Sequence, residues 1–537
     1  MSEHSSQITG IQAAFMQFDR RAEKVSLDIL TQTFVDAEPL FIQLSSKNNQ
    51  VLYGRRGTGK THALKFLAET IAKNGDVPLY IDLRTVGSNG SIYSDPTRPL
   101  AERAARLITD VLEALEAELF NLAVEQVEKA LNPEQITIRL DDLRTAVSSV
   151  QVRGTVEKQE ATKNALNGGA ETNASLTISK NEGAGFNFSA KATEQSSATQ
   201  EGSLKQTGQM TISLDFGTLQ SALSGLITVI GNPRIWLLID EWSEIPLDLQ
   251  PFLADLLRRT VLPQERIIVK IAAIEHRSHF AVWKERADFI GIEIGADMTA
   301  DINLDDFVVY DVDQTRAIRF FSNLIYRHYK VSDKATEQVD SPDALISEAF
   351  TQSGVFQEFV RAVEGVPRDA LNLAATVARI AYGRRISIDD VRRAAREWYQ
   401  QDKMSATKSN PRLAHALSFI ISEVIENRRT RAFLFPSGSS KQEIDYLYDA
   451  RLLHILKKSI SSNDEPGKRY DVYKIDYGCY VDLITTSKAP QGLLAGDDST
   501  PFVDVPPDDY RSIRRAILRP EDLRKALSAE GEGGPTS

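Results

Sequence analysis

A single cysteine, Cys479, occurs in 537 residues. That scarcity excludes an intrachain disulfide framework and fits a reducing compartment. Cys479 itself reads as a small buried apolar residue rather than a nucleophile. Met1 to Asp19 lack the basic start and apolar run of a signal peptide. No stretch is apolar over the length that a membrane-spanning helix requires. An excess of positive charge is missing too: 63 Lys plus Arg face 74 Asp plus Glu, a net charge of −11. A globally basic nucleic-acid binder is thereby excluded, whereas a local basic face is not. The expected location is the cytoplasm, with no membrane partner. The length accommodates about three domains, each with its own core.

One internal region has absences of its own. From Gln151 to Met210 there is no Pro, Tyr, Trp, His, Cys or Asp. Gly, Ser, Thr, Asn, Gln and Ala dominate, and Leu176, Ile178, Phe186 and Phe188 alternate with polar neighbours. The plain reading is a flexible or hairpin-like insertion. A sharper one is a β-hairpin that orders on a partner or in a ring. A membrane-inserting hairpin is the least favoured.

Against these absences stands Gly54-Arg55-Arg56-Gly57-Thr58-Gly59-Lys60-Thr61, a complete Walker A loop. Val51-Leu52-Tyr53 before it reads as a buried strand. Leu64, Leu67, Ala68 and Ile71 after it recur at helical spacing, which is the context the motif needs. Glycines let the backbone N–H groups of Gly54, Gly57, Thr58 and Gly59 turn toward phosphates, and the helix N-terminus adds a favourable dipole. Lys60 is expected to reach the β- and γ-phosphates, and the Thr61 hydroxyl to ligate magnesium. The implied cofactors are ATP and Mg2+.

Ile235-Trp236-Leu237-Leu238-Ile239 ends in Asp240-Glu241 and has the form of a Walker B strand. Asp240 is the expected magnesium ligand and Glu241 the catalytic base, because phosphoryl transfer depends on electrostatic positioning. The plainer alternative is a strand that merely ends in surface acids. A further strand, Ile267 to Ile274, ends in Glu275-His276-Arg277. A second polar contact to the γ-phosphate is expected there: Glu275 or His276 could orient the water and Arg277 could act at a subunit boundary, all counted with the nucleotide site, against the alternative of a solvated loop. In Gly365-Val366-Pro367-Arg368, Gly-x-Pro stops one helix and Arg368 begins the next. A cation is disfavoured there by the helix dipole, and a phosphate-facing role would explain it, against the alternative of an exposed charge that costs little. The alternation of strands and helices predicts a parallel α/β sheet.

The order of Walker A, Walker B, a strand ending at Glu275, and a helical Gly-Val-Pro-Arg segment resembles the AAA+ ATPases. Ile386 to Ala394 is similar to the last lid helix of that group, and the closest branch is the initiator and origin-recognition one. The resemblance implies a P-loop AAA+ parallel sheet with a helical lid and a C-terminal winged helix. It also implies that Arg368 is the sensor 2 arginine and that Glu275–Arg277 falls at sensor 1. Sensor 1 usually carries Asn, Thr or Ser, so Glu275-His276 departs from the pattern. No clear arginine finger is visible, and Arg277 and Arg286 are only candidates for one.

The expected organisation is a polar arm over 1–25 and an AAA+ domain over 26–311, with the insertion at about 151–210. A lid follows over 312–402, then a winged helix over 403–495 and a tail over 496–537. In the fourth part a helix from about Leu413 to Asn427 precedes a strand at Arg431 to Phe435. A second helix spans Lys441 to Ala450, and two strands flank a wing at Ser461 to Arg469. The tail is read with a short helix at Asp508 to Leu518.

Double-stranded DNA is a possible partner through Arg428, Arg429, Arg431, Lys468 and Arg469, which suit phosphates rather than bases. Glu443, Asp445 and Asp449 on the presumed recognition helix weigh against base reading. Many winged helices bind protein instead, so a protein partner or a homo-oligomer stays open. The sequence thus predicts an ATP-hydrolysing AAA+ protein, DNA-associated, that couples nucleotide state to winged-helix presentation. The alternative is a switch resembling STAND NTPases, for example in bacterial antiviral defence, whose winged helix binds protein. A nucleotide-binding adaptor without turnover is a third possibility, and Asp240-Glu241 argues against it.

Overall fold

A computed structural model describes residues 3–86, 93–127, 133–148, 151–158, 177–179, 185–191, 206–231, 233–283, 288–439, 442–461, 467–484 and 517–529. Strands β1 (Gln50–Tyr53) and β2 (Val77–Asp82) come first. The depleted insertion contributes β3 (Gln151–Lys158), β4 (Thr177–Ser179), β5 (Gly185–Lys191) and β6 (Gln206–Asp215). They form an antiparallel sheet of order β3-β6-β5-β4, so the hairpin expectation holds for its backbone.

Five later strands follow: β7 (Ile235–Asp240), β8 (Ile267–Ala273), β9 (Ala281–Trp283), β10 (Phe289–Gly291) and β11 (Thr299–Asn303). The central sheet is parallel throughout, in the order β11-β1-β8-β7-β2. Every residue of β7 and β8 is buried, as expected when helices cover both faces of a parallel sheet. Alternation divides the two sides. Leu237 and Ile239 face a core with the helices Leu100–Val127 and Phe216–Ile230. Trp236 and Leu238 face the helix Lys60–Lys73 through Leu64, Leu67 and Ile71. All five strands point the same way, so Tyr53, Asp82, Asp240, Ala273 and Asn303 end on one edge. Polar residues just past that edge build the site.

The helices Gln314–Lys330, Pro342–Ala349, Ser353–Val363, Pro367–Ile380 and Ile388–Trp398 form the lid. The expected polar arm is corrected here, because residues Glu3–Met16 are a helix. Ile8, Ile11, Ala14 and Phe15 are buried, and Ile11, Ala14 and Phe15 belong to the core that the lid shares. Gln12 Nε2 donates to the carbonyls of Ala381 (3.0 Å) and Arg384 (2.8 Å). The segment reads as polar because its apolar residues fill one face only.

The C-terminal part begins with the helix Pro411–Ile420. Then come β12 (Ala432–Pro436), the helix Gln442–Asp449, β13 (Leu453–Ser461) and β14 (Arg469–Ile475). The strands pair antiparallel as β12-β14-β13, the element order expected of a winged helix. Most of the expected wing, 462–466, lies outside the described residues. So do most of the helix expected at Asp508 to Leu518, and Arg286. The described tail helix is Pro520–Ala529, and Leu518 N–H donates to Leu434 O at 2.9 Å just before it. Cys479 is partly buried, and desolvation pushes its thiol well above its ordinary value, which fits a packing role. Among the described residues no helix is long and apolar enough to cross a membrane.

Candidate functional site

The loop Gly54–Gly59 leaves β1 and enters the helix at Lys60. Gly57 (φ 91°) and Gly59 (φ 102°) occupy the left-handed region, where a side chain is strained. Lys60 is buried, and its Nζ donates to the carbonyls of Gly54 (2.7 Å) and Arg55 (3.1 Å). Burial lowers the Lys60 ammonium from its ordinary value, and Glu241 and Asp240 oppose that shift. Thr58 Oγ1 closes the loop on Arg55 O at 2.9 Å.

The loop opens onto a cavity of about 580 Å³. Lys60, Thr61, Arg84, Glu241 and Arg368 all line it. The opposite wall comes from the segment before the Leu27–Thr33 helix, including Arg20, Arg21 and Glu23, and from His328 and Leu371 of the lid. The volume is in the range of small-molecule sites.

Asp240 and Glu241 are adjacent but differently disposed. Asp240 is fully buried. Its Oδ2 accepts from Tyr80 Oη at 2.6 Å, and its Oδ1 from the Glu241 N–H at 2.8 Å. Glu241 has φ 56°, a strained value for a non-glycine residue costing about 1–2 kcal/mol. That turn takes it off the strand and into the cavity wall. Burial raises its carboxyl above the ordinary value, Asp240 adds to the effect, and Lys60 and Arg84 oppose it. Arg84 Nη1 lies 3.5 Å from Glu241 Oε1 and 3.2 Å from Glu23 Oε1.

Arg368 begins the lid helix Pro367–Ile380, and its N–H donates to Gly57 O at 3.1 Å. Burial lowers its guanidinium, and Glu23 opposes this. Arg368 is among the residues that line the cavity.

Two expected contacts are corrected. Glu275 and Arg277 do not line the cavity. Glu275 is held by Lys458 Nζ of β13 at 2.6 and 2.8 Å and by Asn303 Nδ2 at 3.2 Å. Arg277 faces Asp449 electrostatically. The short turn after β8 thus meets the C-terminal domain, whose position no local pattern in the sequence specifies.

Arg431 is corrected as well. Its Nη2 lies 2.5 Å from Asp311 Oδ1, and the pair is largely buried. Arg428 is bound to Glu423 at 2.6 Å and to Ile517 O at 2.8 Å. Arg429, Lys468 and Arg469 are exposed. The acidic helix Gln442–Asp449 turns toward the sheet domain: Asp445 Oδ1 is 3.8 Å from His276 Nδ1, and Arg55 lies over the Tyr448 ring at 4.4 Å.

Arg20, Arg21 and Arg84 were not legible as site residues. Arg84 had a usable signal, since it follows β2 on the same edge where Asp240-Glu241 follows β7. His328 is also new; burial pushes it down to about 4, which keeps it neutral.

The fold and this loop, acidic pair and lid arginine define a P-loop protein of the AAA+ class. The chain belongs to the ORC-CDC6-like family, whose model matches residues 18–307, just over half of its length. Among solved structures, the Aeropyrum pernix ORC1 protein in complex with DNA is similar at 12% identity, with a TM-score of 0.30. The similarity covers 84% of this chain and 92% of that one. A search of curated proteins finds no match.

Proposed function

We propose that the protein binds and hydrolyses ATP with magnesium at this cavity and is a DNA-associated, initiator-like ATPase. The observation that carries the reading is the convergence of Lys60, Glu241 and Arg368, from three distant parts of the chain, on one cavity at the mouth of the phosphate loop. Buried Lys60 also fits a phosphate, because among the described residues only main-chain carbonyls accept from it.

Bound ATP supplies the phosphoanhydride to be cleaved, and magnesium neutralises part of its charge. Gly57 and Gly59, which line the cavity, provide main-chain donors, and Lys60 provides the buried cation; the expected Gly54 and Thr58 donors are corrected, because those N–H groups go to Ala273 O at 3.2 Å and Arg55 O at 3.4 Å. Among the described residues no group of three or more His, Cys, Asp or Glu could hold a metal ion by itself. Thr61, which lines the cavity, would hold the metal together with Asp240, which lies buried behind the lining and bonded to Tyr80 Oη and the Glu241 N–H. Glu241 accepts the proton of the attacking water, and its raised carboxyl suits that task. Arg368 stabilises the charge that develops on the transferred group.

The DNA part rests on family membership and on the exposed Arg429, Lys468 and Arg469, which suit phosphates rather than bases. Steady-state ATPase activity with and without duplex DNA, at two salt concentrations and with Glu241→Gln as the blank, tests both parts. Stimulation that fades with salt is expected. Turnover indifferent to DNA would turn the reading to a switch whose C-terminal domain meets a protein partner.

A further inference from the structure

Arg55 has two sets of partners, and they belong to different parts of the molecule. Its main-chain carbonyl accepts from Lys60 Nζ and Thr58 Oγ1, inside the phosphate loop. Its side chain is buried and reaches the C-terminal domain. Nη1 donates to Leu453 O at 2.9 Å and to Tyr448 O at 3.3 Å. Nη2 lies 3.2 Å from His454 Nδ1. Nε and the main-chain N–H both go to Asp305, at 2.6 and 2.8 Å.

The chemistry orients the next link. A guanidinium only donates, so His454 Nδ1 accepts and Nε2 carries the proton. That N–H donates to Asp476 Oδ2 at 3.0 Å. Asp476 is also 2.5 Å from Lys403 Nζ, which lies 3.3 Å from Asp369 Oδ2. Asp369 follows Arg368 in the chain. A buried chain of polar contacts therefore runs from the phosphate loop, through the C-terminal domain, to the lid residue beside Arg368. Its ends, Arg55 and Asp369, are the chain neighbours of Arg56 and Arg368, which line the cavity.

We propose that Arg55 is a positioning residue that lets the C-terminal domain sense occupancy of the phosphate loop directly, at Tyr448–His454, without the lid as intermediary. This rests on the nucleotide-binding reading above. In the structure Lys60 is held by the Gly54 and Arg55 carbonyls. When its ammonium turns to a phosphate, the Arg55 peptide loses that donor and the loop readjusts. The guanidinium has every group engaged in a buried setting, so a shift of the Arg55 backbone is passed to its partners.

Hydrogen exchange on the full chain, with and without a slowly hydrolysed ATP analogue, tests this. Protection at 54–61 reports occupancy. The expected result is that occupancy also changes exchange at 446–456 several-fold. His454→Leu removes the acceptor without touching the loop and should weaken that response. His454→Gln offers a carbonyl oxygen to Arg55 and an N–H to Asp476, and should restore it. Protection at 54–61 with exchange at 446–456 unchanged in the wild type overturns the proposal and leaves nucleotide binding intact. An equal response in the wild type and both variants overturns the Arg55–His454 route. No protection at 54–61 at any concentration overturns both readings.

Discussion

The main-chain N–H of Arg368 donates to the carbonyl of Gly57 at 3.1 Å, so the lid is bonded to the phosphate loop itself. A Cβ on Gly57 would come within 2.9 Å of Arg368 Cβ and 3.3 Å of Val366 Cγ1. Glycine is required at position 57 twice over, by its φ of 91° and by the closeness of the lid. Gly57→Ala is expected to weaken ATP binding and lower stability by at least about 1 kcal/mol. Nucleotide titration and thermal melts measure both, and wild-type values in each would show that the lid does not seat here.

Arg368→Ala removes a cation that lines the cavity but none of the loop donors. Turnover should fall by about 10²-fold while nucleotide affinity changes much less. Unchanged turnover would remove Arg368 from the site.

Glu241 and Lys60 should separate chemistry from binding. Glu241→Gln is expected to retain ATP and lose hydrolysis, whereas Lys60→Ala loses ATP itself. A Lys60→Ala protein with wild-type affinity would end the phosphate-loop reading. Residual turnover at the wild-type rate in Glu241→Gln would assign the base elsewhere.

Asp449 makes a pH prediction. Its Oδ1 is buried without a hydrogen-bond partner among the described residues, and burial raises its carboxyl to about 7 against the pull of Arg277. The folded state therefore holds this proton more tightly than the unfolded chain does. The stability linked to it is present below the unfolded value, about 3.9, and is lost as pH rises through about 7. Asp449→Asn imitates the protonated form. It should raise the melting temperature at pH 8, by roughly 2–4 °C per kcal/mol recovered, and do little at pH 4. An equal effect at both values would show that the proton is not involved.

The basic residues of the C-terminal domain should divide into two groups. Arg431→Met strips one partner from buried Asp311, which Lys474 Nζ also holds at 2.5 Å. A loss of roughly 2 kcal/mol in stability is expected, with no change in the salt dependence of DNA binding. Lys468→Ala and Arg469→Ala should leave stability alone and each reduce the salt slope by about 1. Binding that is insensitive to both would place the DNA contact elsewhere on the molecule.

Much of the fold and site was legible because its signals are local. Gly57, Gly59, Lys60 and Thr61 lie within five residues, and their backbone geometry follows from glycine alone. The apolar run before Asp240-Glu241 announces a strand buried on both faces. The helix Gln442–Asp449 packs onto the sheet domain, with Asp445 Oδ1 3.8 Å from His276 Nδ1 and the Tyr448 ring under Arg55.

What the sequence by itself determined about this protein is therefore the parallel sheet, the loop and the acidic pair, each specified by neighbours a few residues away. Tertiary structure alone decided what each remaining charge does. Glu275 meets Lys458, Arg431 meets Asp311 and Arg55 meets His454. A charged side chain acquires its role from the counter-charge or acceptor beside it. Here those partners lie 120 to 399 residues away in the chain, beyond any local pattern.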